Sequence, residues 1–175
     1  GSAGSDGAIW VSADGLTWSR VAVETAAAGG PGNQVLGDII AGGPGLVAVG
    51  LDEPNPPMSR VGGMRAAVLV SDDGLRWWRI PQEEALFGGI EGDEQVATAI
   101  ASTPHGLVAV GGNAVWISDD GYRWSRVAMG DAVAPGGVFH AVIGGGPGVV
   151  VVGTDAGVDD PEGVGSNAAV WVASP

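Results

Sequence analysis

Ser118-Asp119-Asp120-Gly121-Tyr122-Arg123-Trp124 stands between two short β-prone runs, Ala114-Val115-Trp116-Ile117 before it and Trp124-Ser125-Arg126-Val127 closing it. The same phrase occurs as Ser71-Asp72-Asp73-Gly74-Leu75-Arg76-Trp77 and as Ser12-Ala13-Asp14-Gly15-Leu16-Thr17-Trp18. Each copy follows an apolar run, Ala67-Val68-Leu69-Val70 and Ala8-Ile9-Trp10-Val11, and leads into a Trp-x-Arg segment. Two β-rich runs joined by a polar turn that holds a glycine form a hairpin. Residue chemistry assigns the roles. Asp14, Asp73 and Asp120 accept backbone N–H bonds inside the turn, Gly15, Gly74 and Gly121 take a positive φ, and Trp18, Trp77 and Trp124 return to pack on the apolar run.

A second unit alternates with the first. Leu46-Val47-Ala48-Val49-Gly50, Leu107-Val108-Ala109-Val110-Gly111 and Val149-Val150-Val151-Val152-Gly153 are almost wholly apolar, which predicts strands covered on both faces. Each follows a tight turn, and each turn follows a further strand at Asp38-Ile39-Ile40, Thr98-Ala99-Ile100 or His140-Ala141-Val142. One repeat is therefore four strands in the order inner, buried, Trp and outer. Four-stranded antiparallel units at this period are the blades of a β-propeller. The pattern predicts an all-β chain with a linker or cloning remnant at 1–7. A single propeller portion then runs over 8–175, with a partial blade at 8–23, blades at 37–80 and 96–128, and a partial blade at 138–173. That is about three blades, and a ring needs at least about four. The expectation is completion by oligomerisation, with a dimer giving about six blades, or membership of a longer propeller.

Composition sets outer limits. With 175 residues, 33 glycines and no cysteine, the chain suits one loop-rich core without disulfides. Twenty acidic residues against seven basic ones, all arginine, give a net charge of −13, which opposes phosphate-tracking and argues against nucleic acid or an anionic membrane as partner. No apolar run has the length of a membrane-spanning helix.

The Ser-x-Asp-Gly-x-x-Trp phrase resembles the Asp-box, or bacterial neuraminidase repeat, of sialidase-like β-propellers, in a form one residue shorter than usual. The resemblance implies that Ser12, Asp14, Gly15, Trp18, Ser71, Asp73, Gly74, Trp77, Ser118, Asp120, Gly121 and Trp124 are fold residues on the face away from any active site. It implies an extracellular or cell-surface setting. Sialidase chemistry needs an arginine triad, a tyrosine nucleophile paired with a glutamate, and an acid/base aspartate. The only tyrosine, Tyr122, lies in a box turn, and Arg20, Arg79 and Arg126 recur on the outer strand, where blade edges are expected to meet solvent. The catalytic set is not found.

Loops on the face opposite the box turns carry every length change, which makes that face the candidate binding surface. Within it Asp155, Asp159, Asp160 and Glu162 gather carboxylates around glycines, a composition that suits either a Ca²⁺ site or a solvated acidic loop. Asp52 and Glu53, and Glu91, Asp93 and Glu94, have the same two readings. His105 and His140 occupy different repeat positions and form no pair. Phe87 at an interblade loop either contacts a partner or folds back onto the core. Trp10, Trp116 and Trp171 share one strand position with Leu69, as core packing requires. Trp78 replaces Ser19 and Ser125, and either stacks a ligand or fills the joint with a neighbouring chain. The functional expectation is a non-catalytic binding or interaction scaffold closing as a homo-oligomer, with a protein or glycan ligand. The alternatives are a carbohydrate-binding propeller or a fragment of a larger sialidase-like or other propeller enzyme.

Overall fold

The computed structural model describes residues 4–22, 25–54, 63–81, 84–88, 95–129, 137–146, 148–156 and 166–173. They form four antiparallel sheets that follow one another along the chain. Sheet I pairs β1 (Trp10–Val11) with β2 (Ser19–Arg20). After a helical turn α1 (Thr25–Ala28), sheet II orders β3 (Asn33–Gly42), β4 (Gly45–Glu53), β5 (Arg65–Ser71) and β6 (Trp78–Arg79) side by side. A second helical turn, α2 (Glu84–Phe87), precedes sheet III, built of β7 (Ala99–Thr103), β8 (Gly106–Gly111), β9 (Ala114–Ser118) and β10 (Ser125–Arg126). Sheet IV has three strands among the described residues, β11 (Val138–Gly145), β12 (Gly148–Ala156) and β13 (Ser166–Ala173). Sheets II and III carry the inner, buried, Trp and outer strands in the order read from the sequence.

The sheets stack face to face through apolar seams. Ile9 and Val21 of sheet I meet Ala48, Leu69 and Trp77 of sheet II. Val47, Val49, Val68 and Val70 on the other face of sheet II meet Ile100, Leu107, Trp116 and Trp124 of sheet III. Val108, Val110 and Val115 then meet Phe139 and Val151 of sheet IV. Alternation along each strand sends successive side chains to the two seams, which is why the buried strands read as unbroken apolar runs. Each such side chain contributes about 1.5–3 kcal/mol by leaving water.

Backbone bonds stitch the inner edges. Ala97 N–H donates to the Gly50 carbonyl at 3.2 Å and Phe139 N–H to the Gly112 carbonyl at 2.7 Å. The Asp38 carboxylate accepts from the Ile100 N–H at 2.9 Å, tying β3 to β7. Gly50, Gly111 and Gly153 allow the bulged inner strand to approach: a Cβ at these positions would run into the carbonyls of Val35, Val96 and Val138.

Strands β3 and β4 extend beyond the apolar core of the pattern. Strand β3 begins at Asn33, ahead of residue 37, and β4 continues to Glu53 in what reads as loop. Side-chain pairing explains the extension. Asn33 Nδ2 donates to Glu53 Oε2 and Gln34 Nε2 to Asp52 Oδ1, both at 2.8 Å, across facing register positions. Polar partners, rather than an apolar alternation, hold this end together.

Candidate functional site

The three box turns have one geometry. In each, the glycine N–H donates to the serine Oγ at 2.8 Å. The aspartate Oδ1 accepts two backbone N–H groups at 2.7–2.8 Å, and the indole N–H donates to the glycine carbonyl. Glycine φ values of 74°, 74° and 78° lie in the left-handed region that a side chain disfavours. These carboxylates are committed to their own turns. The Thr17 and Leu16 N–H groups hold Asp14 at about 2, below its usual 3.8. The Arg76 and Leu75 amides lower Asp73 in the same way, and those of Arg123 and Tyr122 lower Asp120.

A carboxylate whose folded pKa is depressed stabilises the fold above its unfolded pKa and loses that contribution as pH falls through the folded value. Acidification from about 4 towards about 2 is therefore expected to lower the melting temperature. A D14N/D73N/D120N variant is expected to start lower and to show a shallower acid slope over that window. Thermal melts followed by circular dichroism at a series of pH values check both.

Burial separates one box from the other two. The indoles of Trp77 and Trp124 are 7% and 8% exposed, while that of Trp18 is 56% exposed. The difference lies in what precedes each sheet, since the turns themselves are alike. Trp124 lies against Val47 and Val70 of sheet II, whereas no sheet precedes sheet I among the described residues. Trp10, which shares its strand position with the buried Trp116, is also more than half exposed, as is half of Ile39 on the same side. At the far end, Ile143, Val152, Val170 and Val172 make the outward face of sheet IV and are exposed. The array thus presents an aromatic end and an aliphatic end.

A cavity of about 390 Å³ opens between sheets III and IV on the box-turn side, lined by His105, Leu107, Val108, Ile117, Val149 and Ala173 among others. In the preceding seam the same location is filled. A Cβ built on Gly121 of the third box would lie 2.9 Å from Pro44 Cδ, 3.3 Å from Val47 Cγ2 and 3.5 Å from Leu107 Cδ1. His105, Val108 and Val149 are the counterparts of those three residues one repeat later.

The opposite end of the seam between sheets I and II holds a buried polar cluster. Arg79 Nη1 pairs with Asp52 Oδ2 at 3.0 Å and its Nε donates to the Ala27 carbonyl at 3.0 Å, with side chains 17% and 12% exposed for Arg79 and Asp52. Gln34 Nε2 bridges Asp52 and the Pro31 carbonyl. Arg79 is therefore an internal tie and not the solvent-facing blade edge expected for it, and Asp52 is its counterion and not part of a solvated acidic loop. Recurrence of arginine at Arg20, Arg79 and Arg126 was the available signal; the partner, set by tertiary packing, was not readable.

Other candidate residues scatter. Phe87 is 2% exposed and packs 6.3 Å from the Trp116 ring, so it belongs to the core and offers no surface to a partner. Trp78 is half-exposed on β6. His140 faces solvent on β11, and His105 lies in the cavity described above. Asp155 sits at the end of β12 opposite Asn167, and its Oδ1 is buried without a hydrogen-bond partner. Asp159, Asp160 and Glu162, with Glu91, Asp93 and Glu94, lie outside the described residues. Among the described residues no group of three or more His, Asp or Glu side chains is placed to hold a metal ion, and no helix is long and apolar enough to cross a membrane.

No protein-family model, curated protein or solved structure matches this chain.

Proposed function

We propose that the chain is a non-catalytic β-propeller scaffold of the Asp-box type, whose sheet array closes by joining a second copy, aliphatic end to aromatic end. One observation carries the reading: equivalent residues are buried in the inner seams and bare at the two ends. Trp18 and Trp10 lack the cover that Trp77, Trp124 and Trp116 have, and Val152 and Val170 lack the neighbour that Val110 and Val115 have. Exposed apolar faces of this kind mark association surfaces in soluble proteins. Their complementarity is in the right sense for a closed two-chain ring, because the end that lacks a preceding sheet meets the end that lacks a following one.

A glycan-binding role would rest on exposed aromatics of the variable face, and Phe87, the one the sequence offered there, lies in the core. Acrylamide quenching of tryptophan fluorescence tests the ring reading. Closure is expected to shield Trp10 and Trp18 from the quencher, while Trp78 stays within its reach. Indoles at 10 and 18 that remain quenchable at every protein concentration, assigned by W10F and W18F variants, would contradict it.

A further inference from the structure

The geometry points to a specific joint, resting on the ring reading above: strands β1 and β2 of one copy replace β13 on β12 of the other. Trp18 then enters the cavity between sheets III and IV, and Arg20 faces Asp155.

The two ends cannot join by simple apposition. Strand β1 bonds β2 on one edge and leaves bare the edge on which β4 and β8 stand beside β5 and β9. Strand β13 bonds β12, and among the described residues no strand stands on its other side, where β6 and β10 stand in sheets II and III. Each end thus already holds a third-position strand, and a four-stranded sheet has room for one. Those two strands are near copies, Ala8-Ile9-Trp10-Val11 and Ala169-Val170-Trp171-Val172. Exchange releases β13 and puts Ile9, Trp10 and Val11 in the places of Val170, Trp171 and Val172, with Trp10 where Trp171 now lies edge-on to Phe139 at 4.8 Å, and it adds an outer strand that sheet IV lacks among the described residues.

Two features of sheet IV fit the incoming hairpin. The cavity of about 390 Å³ is lined by His105, Val108 and Val149, counterparts of the residues beside Gly121 of the third box, and by Ala173, which leaves with β13; the bare Trp18 is the box side chain without such a socket. The second feature is charge. Asp155 stands one repeat position for another with Asp52, as Gly153 does with Gly50, and its Oδ1 is buried and unpartnered. Asp52 is neutralised by Arg79 of the outer strand; the outer strand of the incoming hairpin brings Arg20, which is exposed in the single chain. A carboxylate oxygen buried without a partner is costly, so the pairing favours this joint over an apolar contact of arbitrary register. With both exchanges made, two chains give six complete four-stranded sheets.

The chain has no cysteine, so engineered disulfides report the joint without background. In the exchanged sheet Val11 faces Val150, where Val172 now stands. A V11C/V150C variant is expected to oxidise to a species of two linked chains on a non-reducing gel, and adding Trp18→Ala or Arg20→Ser is expected to cut the linked fraction several-fold. Conversely, V150C/V172C pins β13 onto β12, and is expected to hold the chain as a monomer until reduced. A wild-type dimer whose V11C/V150C chains do not cross-link, or a V150C/V172C protein that dimerises while oxidised, would overturn the joint and leave the ring reading standing. A wild-type monomer would overturn both.

Discussion

Trp116→Ala is expected to destabilise the fold by about 3–5 kcal/mol, the usual loss for removing a large buried aromatic. Trp116 is 1% exposed at the centre of the seam between sheets II and III, where it packs on Phe87 and the valines of β4 and β5. Its indole N–H also donates to the Leu86 carbonyl at 2.8 Å, so the loop carrying α2 is fastened through the same side chain. Trp116→Phe keeps most of the volume and removes that donor. It is expected to cost about 1–3 kcal/mol, the penalty of leaving a buried carbonyl unpaired. Urea unfolding followed by fluorescence and circular dichroism measures both. Trp10→Ala provides the contrast. The position is equivalent but bare in the single chain, so this change is expected to leave the chain's own stability within about 1 kcal/mol and to act on association.

Asp52→Ala is the second change with a large expected effect, about 3 kcal/mol. It strands the Arg79 guanidinium in a site where little water reaches, and removes the acceptor from Gln34 Nε2. Breaking one side of a buried ion pair leaves an uncompensated charge, whereas removing both sides does not. The double variant Asp52→Ala/Arg79→Ala is therefore expected to be more stable than Asp52→Ala alone, a positive coupling in a double-mutant cycle. Additive losses would mean that Arg79 draws nothing from Asp52 and is held by the Ala27 carbonyl.

Much of this architecture was legible in the residues. Three Ser-x-Asp-Gly-x-x-Trp turns and three apolar runs ending in glycine specify the four strand types and their order, because turn chemistry and strand alternation are local properties. The extended ends of β3 and β4 were not legible. Gln34, Asp52, Asn33 and Glu53 are poor strand formers, and only their cross-strand pairing makes them strand. Phe87 was ambiguous for a similar reason: an apolar residue in a loop has no periodicity, and its fate is decided by Trp116, 29 positions away in sequence. The open ends could be counted from the sequence, but the cavity between sheets III and IV and the orphaned oxygen of Asp155 could not, since both depend on tertiary packing.

Burial also explains why identical turns have different meanings. Ser71 and Ser118 are nearly inaccessible in their boxes, whereas the first box stands open with its hydrogen bonds intact. The turn is thus a local device that folds without cover, and the cover comes from the preceding sheet. That separation lets one motif serve as interior packing in the second and third boxes and stand uncovered in the first.

Light scattering coupled to size-exclusion chromatography, run over a range of concentrations, tests the closure of the array most directly. A discrete species at twice the chain's 17.3 kDa is the result expected for a two-chain ring. A single-chain mass at every concentration, with the aromatic and aliphatic ends both left in water, would contradict it.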